Sequence, residues 1–254
     1  ENAVVAASVA GGANLGGLAL GPLIGGLFAD FLPDPLHLPH TVFAVVLILL
    51  AIAVALVPET VTAARRTYRP QKVAVPAASR DRFVAAAFAA FAGFALFGLF
   101  TSLAPSILVG IFDEHGHLVA GITVFLVFGS AAAAQVLLAR VAYRTQLLFA
   151  AIACGVGLLV IAGGALAPSL ALFLFGGIIG GAGVGALFRC ALATASEIAE
   201  PGRTGETLAA MFLVAYCGLA LPVLAIGGAL TVLPQTTVLL AFVVLVGVVT
   251  VTAA

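Results

Sequence analysis

Charge is what this sequence has least of. Only 8% of its 254 residues are Asp, Glu, Lys or Arg, whereas a soluble domain carries roughly 25%. The ten basic and ten acidic residues cancel, so there is no cationic surface of the kind nucleic acid requires. Tryptophan is absent, and Lys72 is the sole lysine. That lysine follows no glycine-rich run, so there is no Walker loop and no sign of nucleotide use. The three cysteines, Cys154, Cys190 and Cys217, all lie in apolar runs and show no C-x2-C spacing. They read as small buried hydrophobes, with no disulfide or metal implied. Neither H-E-x-x-H nor G-x-S-x-G occurs, which leaves an intramembrane enzyme without a recognisable nucleophile or metal motif. No cofactor is implied.

Apolar residues fill the space the charges leave. They are 63% of the chain, and mean hydropathy is +1.29. A helix needs about 20 apolar residues to cross the hydrocarbon of a bilayer. Eight runs reach or approach that length, at 4–29, 41–57, 83–111, 118–139, 146–167, 170–192, 208–230 and 236–253. None alternates as a barrel strand would. The expectation is an all-α integral membrane protein with eight spans.

The connecting segments are unequal. Taken in order, the seven hold 0, 6, 0, 2, 0, 2 and 0 Lys plus Arg, which accounts for all ten. By the positive-inside rule the basic segments are cytoplasmic, and both chain ends lie on that side. Segment 58–82, with three prolines and six of the ten basic residues, reads as a cytoplasmic linker. The other side holds Asp30, Asp34, Asp113, Glu114 and the four histidines, His37, His40, His115 and His117. Loop histidines at such spacing are usually solvated; a metal site would need the loops to meet.

Within the first run, Gly17, Gly21 and Gly25 are spaced by four and Ala13 extends the row, a small-residue stripe that lets membrane helices touch. Pro22 sits inside it and removes one helical donor. The full string G-x3-G-P-x2-G-G, at Gly17, Gly21, Pro22, Gly25 and Gly26, resembles the fifth-helix signature of major facilitator superfamily antiporters; Ser8 stands where the fuller pattern has glycine. The string Pro58-Glu59-Thr60 is similar to the end of helix six in that family. The resemblance implies that residues 1–57 are the last two helices of the N-terminal half and 83–254 a complete six-helix C-terminal half, with helices one to four not in this chain. Gly17-Leu-Ala-Leu20 recurs as Gly218-Leu-Ala-Leu221, as repeats about an axis along the membrane normal would allow.

By the same resemblance, the function is secondary active transport by alternating access: proton-coupled efflux of small amphipathic molecules, in the cytoplasmic membrane of a bacterium. The arginine-rich, alanine-rich composition fits a high-GC bacterial source. Partners are the bilayer, a small-molecule substrate and protons, and neither nucleic acid nor nucleotide. A truncated or non-transporting membrane component is the alternative.

The candidate substrate-cavity residues are Asn14, Phe94, Phe97, Thr101, Ser102, Gln135 and Tyr216. Phe94, Phe97 and Thr101 share a face of run 83–111, the seventh helix by resemblance, which lines the cavity in the family. Thr101 and Ser102 precede Pro105 by one turn, so they either satisfy the backbone that proline disturbs or meet substrate at a broken helix. Asn14, Gln135 and Tyr216 either bond across helices or face the cavity. The candidate cytoplasmic gate is Arg140, Arg144, Arg189, Glu197 and Arg203. Arg140 and Arg144 occupy the family's basic loop without its Gly and Asp, and ordinary positive-inside anchoring explains them equally well. No acidic or basic residue lies near the middle of any span; Asp30, at an outer end, is the nearest carboxylate. The glycine run 176–186 contains G-x-G-x-x-A but lacks the strand and acidic partner of a dinucleotide site, so Gly176/Gly180 and Gly177/Gly181/Gly185 read as packing stripes.

Overall fold

The structure, a computed structural model, describes the backbone of residues 2–58 and 73–253 and the side chains of 12–58 and 73–248. The linker residues Glu59, Thr60, Arg65, Arg66, Arg69 and Lys72, and the side chain of Ser8, lie outside the described residues.

Every apolar run is a helix, and no strand occurs among the described residues. The helices are α1 (Asn2–Phe31), α2 (Leu38–Ala55), α3 (Arg80–Gly98), α4 (Ala104–Phe112), α5 (His117–Leu137), α6 (Tyr143–Leu166), α7 (Leu170–Ile198), α8 (Thr204–Ala229) and α9 (Gln235–Ala253). A five-residue π-helix, Leu99–Leu103, joins α3 to α4, so these form one rod. Seven of the resulting spans are long and apolar enough to cross a bilayer; α9 is apolar over Gln235–Val248.

Because short turns connect α5, α6, α7 and α8, chain direction alternates and the charges sort by end. Arg82, Arg140, Arg144, Glu197 and Arg203 gather at one end, Asp30, Asp113 and His117 at the other. The charge alternation along the sequence therefore falls on opposite ends of these helices.

α3 is the centre, packed by α7, α8 and α9, and every residue from Ala92 to Phe100 is buried. α7 lies beside it and also packs on α5 and α6. The glycine run makes that possible. A Cβ at Gly176 would strike the backbone of Ile161 on α6, and one at Gly181 or Gly185 the carbonyls of Val127 or Ala131 on α5. The stripes therefore serve α6 and α5, with Gly180 and Gly177 also facing Leu96 and Phe100 of the central rod, which is the packing role their spacing implies.

α1 packs along α5, burying Leu15, Ala19 and Gly26. Here the structure departs from expectation. A Cβ at Gly17, Gly21 or Gly25 meets nothing within 4 Å. The close seam is instead Gly26 against the His117 carbonyl, and Gly121 of α5 against the Pro22 carbonyl. The reason is rotational: Leu15, Ala19 and Gly26 point at α5, and the four-spaced row lies on another face of α1. Likewise Gly218 presses on the Phe91 backbone whereas Gly17, its counterpart in the repeated string, is open. α2 carries no buried residue at all.

Candidate functional site

The backbone of the central rod departs from α-helix at the π-helix Leu99–Leu103. Such turns inside α-helices are frequent at functional positions. Its cause is local. Pro105 supplies no amide, and α4 restarts with that proline in its first turn. The Thr101 hydroxyl donates back to the carbonyls of Phe97, at 3.0 Å, and Gly98, at 3.2 Å. So the hydroxyl does satisfy disturbed backbone, as one of the two sequence readings has it. It is also accessible: Thr101, Ser102 and Pro105 are exposed, although the turns before them are buried.

Two turns along α3 from Thr101 lies an aromatic cluster drawn from four helices. Phe97 stacks on Phe128 of α5, with ring centroids 4.1 Å apart. Phe94 packs against Phe97 at 5.4 Å and against Phe188 of α7 at 4.7 Å. Tyr216 of α8 meets the edge of Phe94 at 5.9 Å, and Phe212 lies 5.5 Å from Phe188. Ring pairs at these separations hold one another in fixed orientations. Phe94 is 3% exposed and Phe97 is fully buried, so neither forms an open stripe on α3. Tyr216, 47% exposed, is where the cluster reaches the surface.

Four of the seven cavity candidates are thus brought together: Phe94, Phe97 and Tyr216 in direct ring contact, and Thr101 through its bond to the Phe97 carbonyl. Ser102 is beside them in the π-helix. Asn14 stands on an exposed face of α1, and Gln135 is buried at the far end of α5. Sequence reasoning missed Phe128, Phe188 and Phe212. Phenylalanine in an apolar run carries no signal until neighbouring helices are placed beside it.

At the basic end, Arg82 at the start of α3 donates to Glu197 at the end of α7, 3.0 Å away. Arg203 is held between Glu200 and Glu206, both at 2.7 Å. The two carboxylates push the Arg203 pKa up, keeping its charge fixed. Ala74, Val75 and Pro76, in the described part of the linker, form a small crevice with this cluster. Arg189 lies deeper, donating to the carbonyls of Gln135 on α5 at 3.4 Å and of Ala139, just past the end of α5, at 3.0 Å. The gate candidates are therefore at one end but in separate groupings. Glu197 engages Arg82, and neither Arg189 nor Arg203.

At the other end, Asp30 of α1 caps α5. Its carboxylate accepts from the Leu118 amide at 2.7 Å, the His117 amide at 3.3 Å and His117 Nδ1 at 2.8 Å. His37 and His115 pair with Asp34 and Asp113. Among the described residues no group of three or more His, Cys, Asp and Glu gathers in the way a metal ion requires.

A bundle of apolar membrane-length helices is the architecture of a multi-pass membrane protein. The family model described as Major Facilitator Superfamily matches residues 2–223. The chain belongs to that superfamily. No curated protein and no solved structure matches it. The function at this level is small-molecule transport across a lipid bilayer, in a family that is generally non-enzymatic.

Proposed function

We propose that the protein is a proton-coupled exporter of small amphipathic molecules, working by alternating access in the cytoplasmic membrane of a bacterium. Residues 1–57 then belong to the N-terminal half, 58–82 is the cytoplasmic linker, and 83–254 forms the C-terminal half. The observation that carries the substrate class is the aromatic cluster surfacing at Tyr216, two turns from the exposed hydroxyls of Thr101 and Ser102. It offers the exposed ring of Tyr216 to an apolar body and the hydroxyls to a polar group. Broken helices near the midplane are where transporters place substrates.

Direction and coupling rest on the signature at Gly17, Gly21, Pro22, Gly25 and Gly26. The Gly26–His117 and Pro22–Gly121 approaches favour α1 against α5 as the pivot between halves. Arg140, Arg144, Arg189, Glu197 and Arg203, on one end of the C-terminal half, are its side of a cytoplasmic gate, with Arg82 holding Glu197 in place. Orientation rests on the positive-inside rule, which puts both chain ends in the cytoplasm.

The test is transport by purified protein in liposomes under an imposed pH gradient. An amphipathic dye should move against the proton flux, with the rate lowered several-fold in Tyr216→Ala. Dye movement that ignores the proton gradient would remove the antiport claim, and no movement in any direction would remove transport by this chain.

A further inference from the structure

The arginine-bearing end contains a second cavity, separate from the aromatic cluster. α5, α6 and α7 part there to leave a cleft of about 340 Å³. Its polar walls are Gln135, Tyr143, Gln146, Arg189, Cys190 and Ser196, and among the described residues no acidic one lines it. Gln135 is 4% exposed, and its side-chain Nε2 has no hydrogen-bond partner. A buried amide donor left unmatched costs free energy unless something accepts from it.

The remaining polar groups define the cleft's sign. The Gln146 amide nitrogen is used by the Val141 carbonyl at 2.6 Å, and the Tyr143 hydroxyl shares a hydrogen with that of Thr194 at 3.0 Å. α6 starts here, 24 residues long, with no side chain capping its N-terminus. Its first amides and dipole add positive potential to that of Arg189. Arg140 and Arg144 are exposed in the adjoining turn. Beside the cleft the last turn of α5 shows bare hydrocarbon, Val136 at 52% and Leu137 at 77% exposed. Donors inside and apolar surface beside match a molecule with an anionic head and a hydrocarbon tail. Basic pockets between membrane helices bind anionic lipid head groups in this way.

We propose that the cleft between α5, α6 and α7 binds the phosphate of an anionic phospholipid, with Arg189 and Gln135 as donors. The chemistry holds on either side of the membrane; assigning the inner leaflet rests on the orientation proposed above. Because α6 and α7 also flank the neighbouring cleft of about 310 Å³ across Tyr143, a seated lipid would brace this end of the bundle.

The test uses the chain in neutral detergent, titrated with phosphatidylglycerol and read by native mass spectrometry, so neither orientation nor transport enters. Saturable one-to-one binding is expected, with phosphatidylcholine at least tenfold weaker and millimolar inorganic phosphate unable to displace the lipid. Arg189→Gln should weaken binding about tenfold and Gln135→Leu several-fold. Circular dichroism checks that each variant folds; if Arg189→Gln does not, Gln135→Leu decides. Unchanged affinity in folded Gln135→Leu, equal binding of phosphatidylcholine, or displacement by phosphate alone would overturn the proposal, the last pointing to a free anion as ligand.

Discussion

Single residues in this protein act mostly through the space they leave. Gly121 and Gly17 look alike in sequence, each a glycine in an apolar helix. A Cβ at Gly121 would meet the Pro22 carbonyl, while one at Gly17 would meet nothing. Gly121→Val should therefore cost about 1–3 kcal/mol by overpacking, with Gly17→Ala close to neutral. Thermal unfolding in detergent measures both; equal effects would show that the α1–α5 seam is elsewhere. Spacing alone predicted the stripe Gly17, Gly21, Gly25 and missed the seam Gly26–His117, because a period of four leaves open which neighbour stands on which face. Asp30 is a similar case. It reads as a solvated helix end, yet it caps α5 across 87 residues of sequence. Asp30→Asn keeps one acceptor and loses the charge facing the α5 N-terminus. It should lower the unfolding temperature at low salt more than at high salt.

Among the elements, the rod from Arg80 to Phe112 is the most informative. Its break was legible because proline chemistry is local: Pro105 removes a donor, and a nearby hydroxyl fills the gap, as Thr101 does. That the break takes π form, and that Phe97 is fully buried rather than facing a cavity, depends on α5, α7 and α8. Pro105→Ala restores the amide and should let the π-helical turn relax to α-helix. Slower transport with near-wild-type stability is expected, measured by dye flux alongside unfolding temperature. Thr101→Val removes the back-bonding hydroxyl and should cost about 1 kcal/mol. α7 teaches the same lesson about glycine. Its stripes announced close packing, while their division between α6 and α5 came only from the fold.

For the whole molecule, composition decides the class and loop charge decides the polarity. Both were plain in the sequence because the bilayer imposes them on every span independently. Seven of the eight expected spans are long and apolar enough among the described residues, and most ends agree within a few residues, α7 running on to Ile198. What the sequence left unread is which side chains from different helices converge. Phe128 joins Phe97, Phe188 joins Phe94 and Phe212 joins Tyr216, from helices far apart in the chain. The polarity yields its own prediction: in a background without cysteine, a thiol at position 115 should react with a membrane-impermeant reagent from outside the cell, and one at position 144 only after the cytoplasmic face is opened. The most direct measurement of alternating access is made at Thr101. A Thr101→Cys variant of that cysteine-free chain, reconstituted in one orientation, is labelled with an impermeant reagent from each side in turn, with and without a transported dye. The account predicts reaction from both sides, with dye changing the ratio. Reaction from neither side, or from one side alone whatever the ligand, would contradict it.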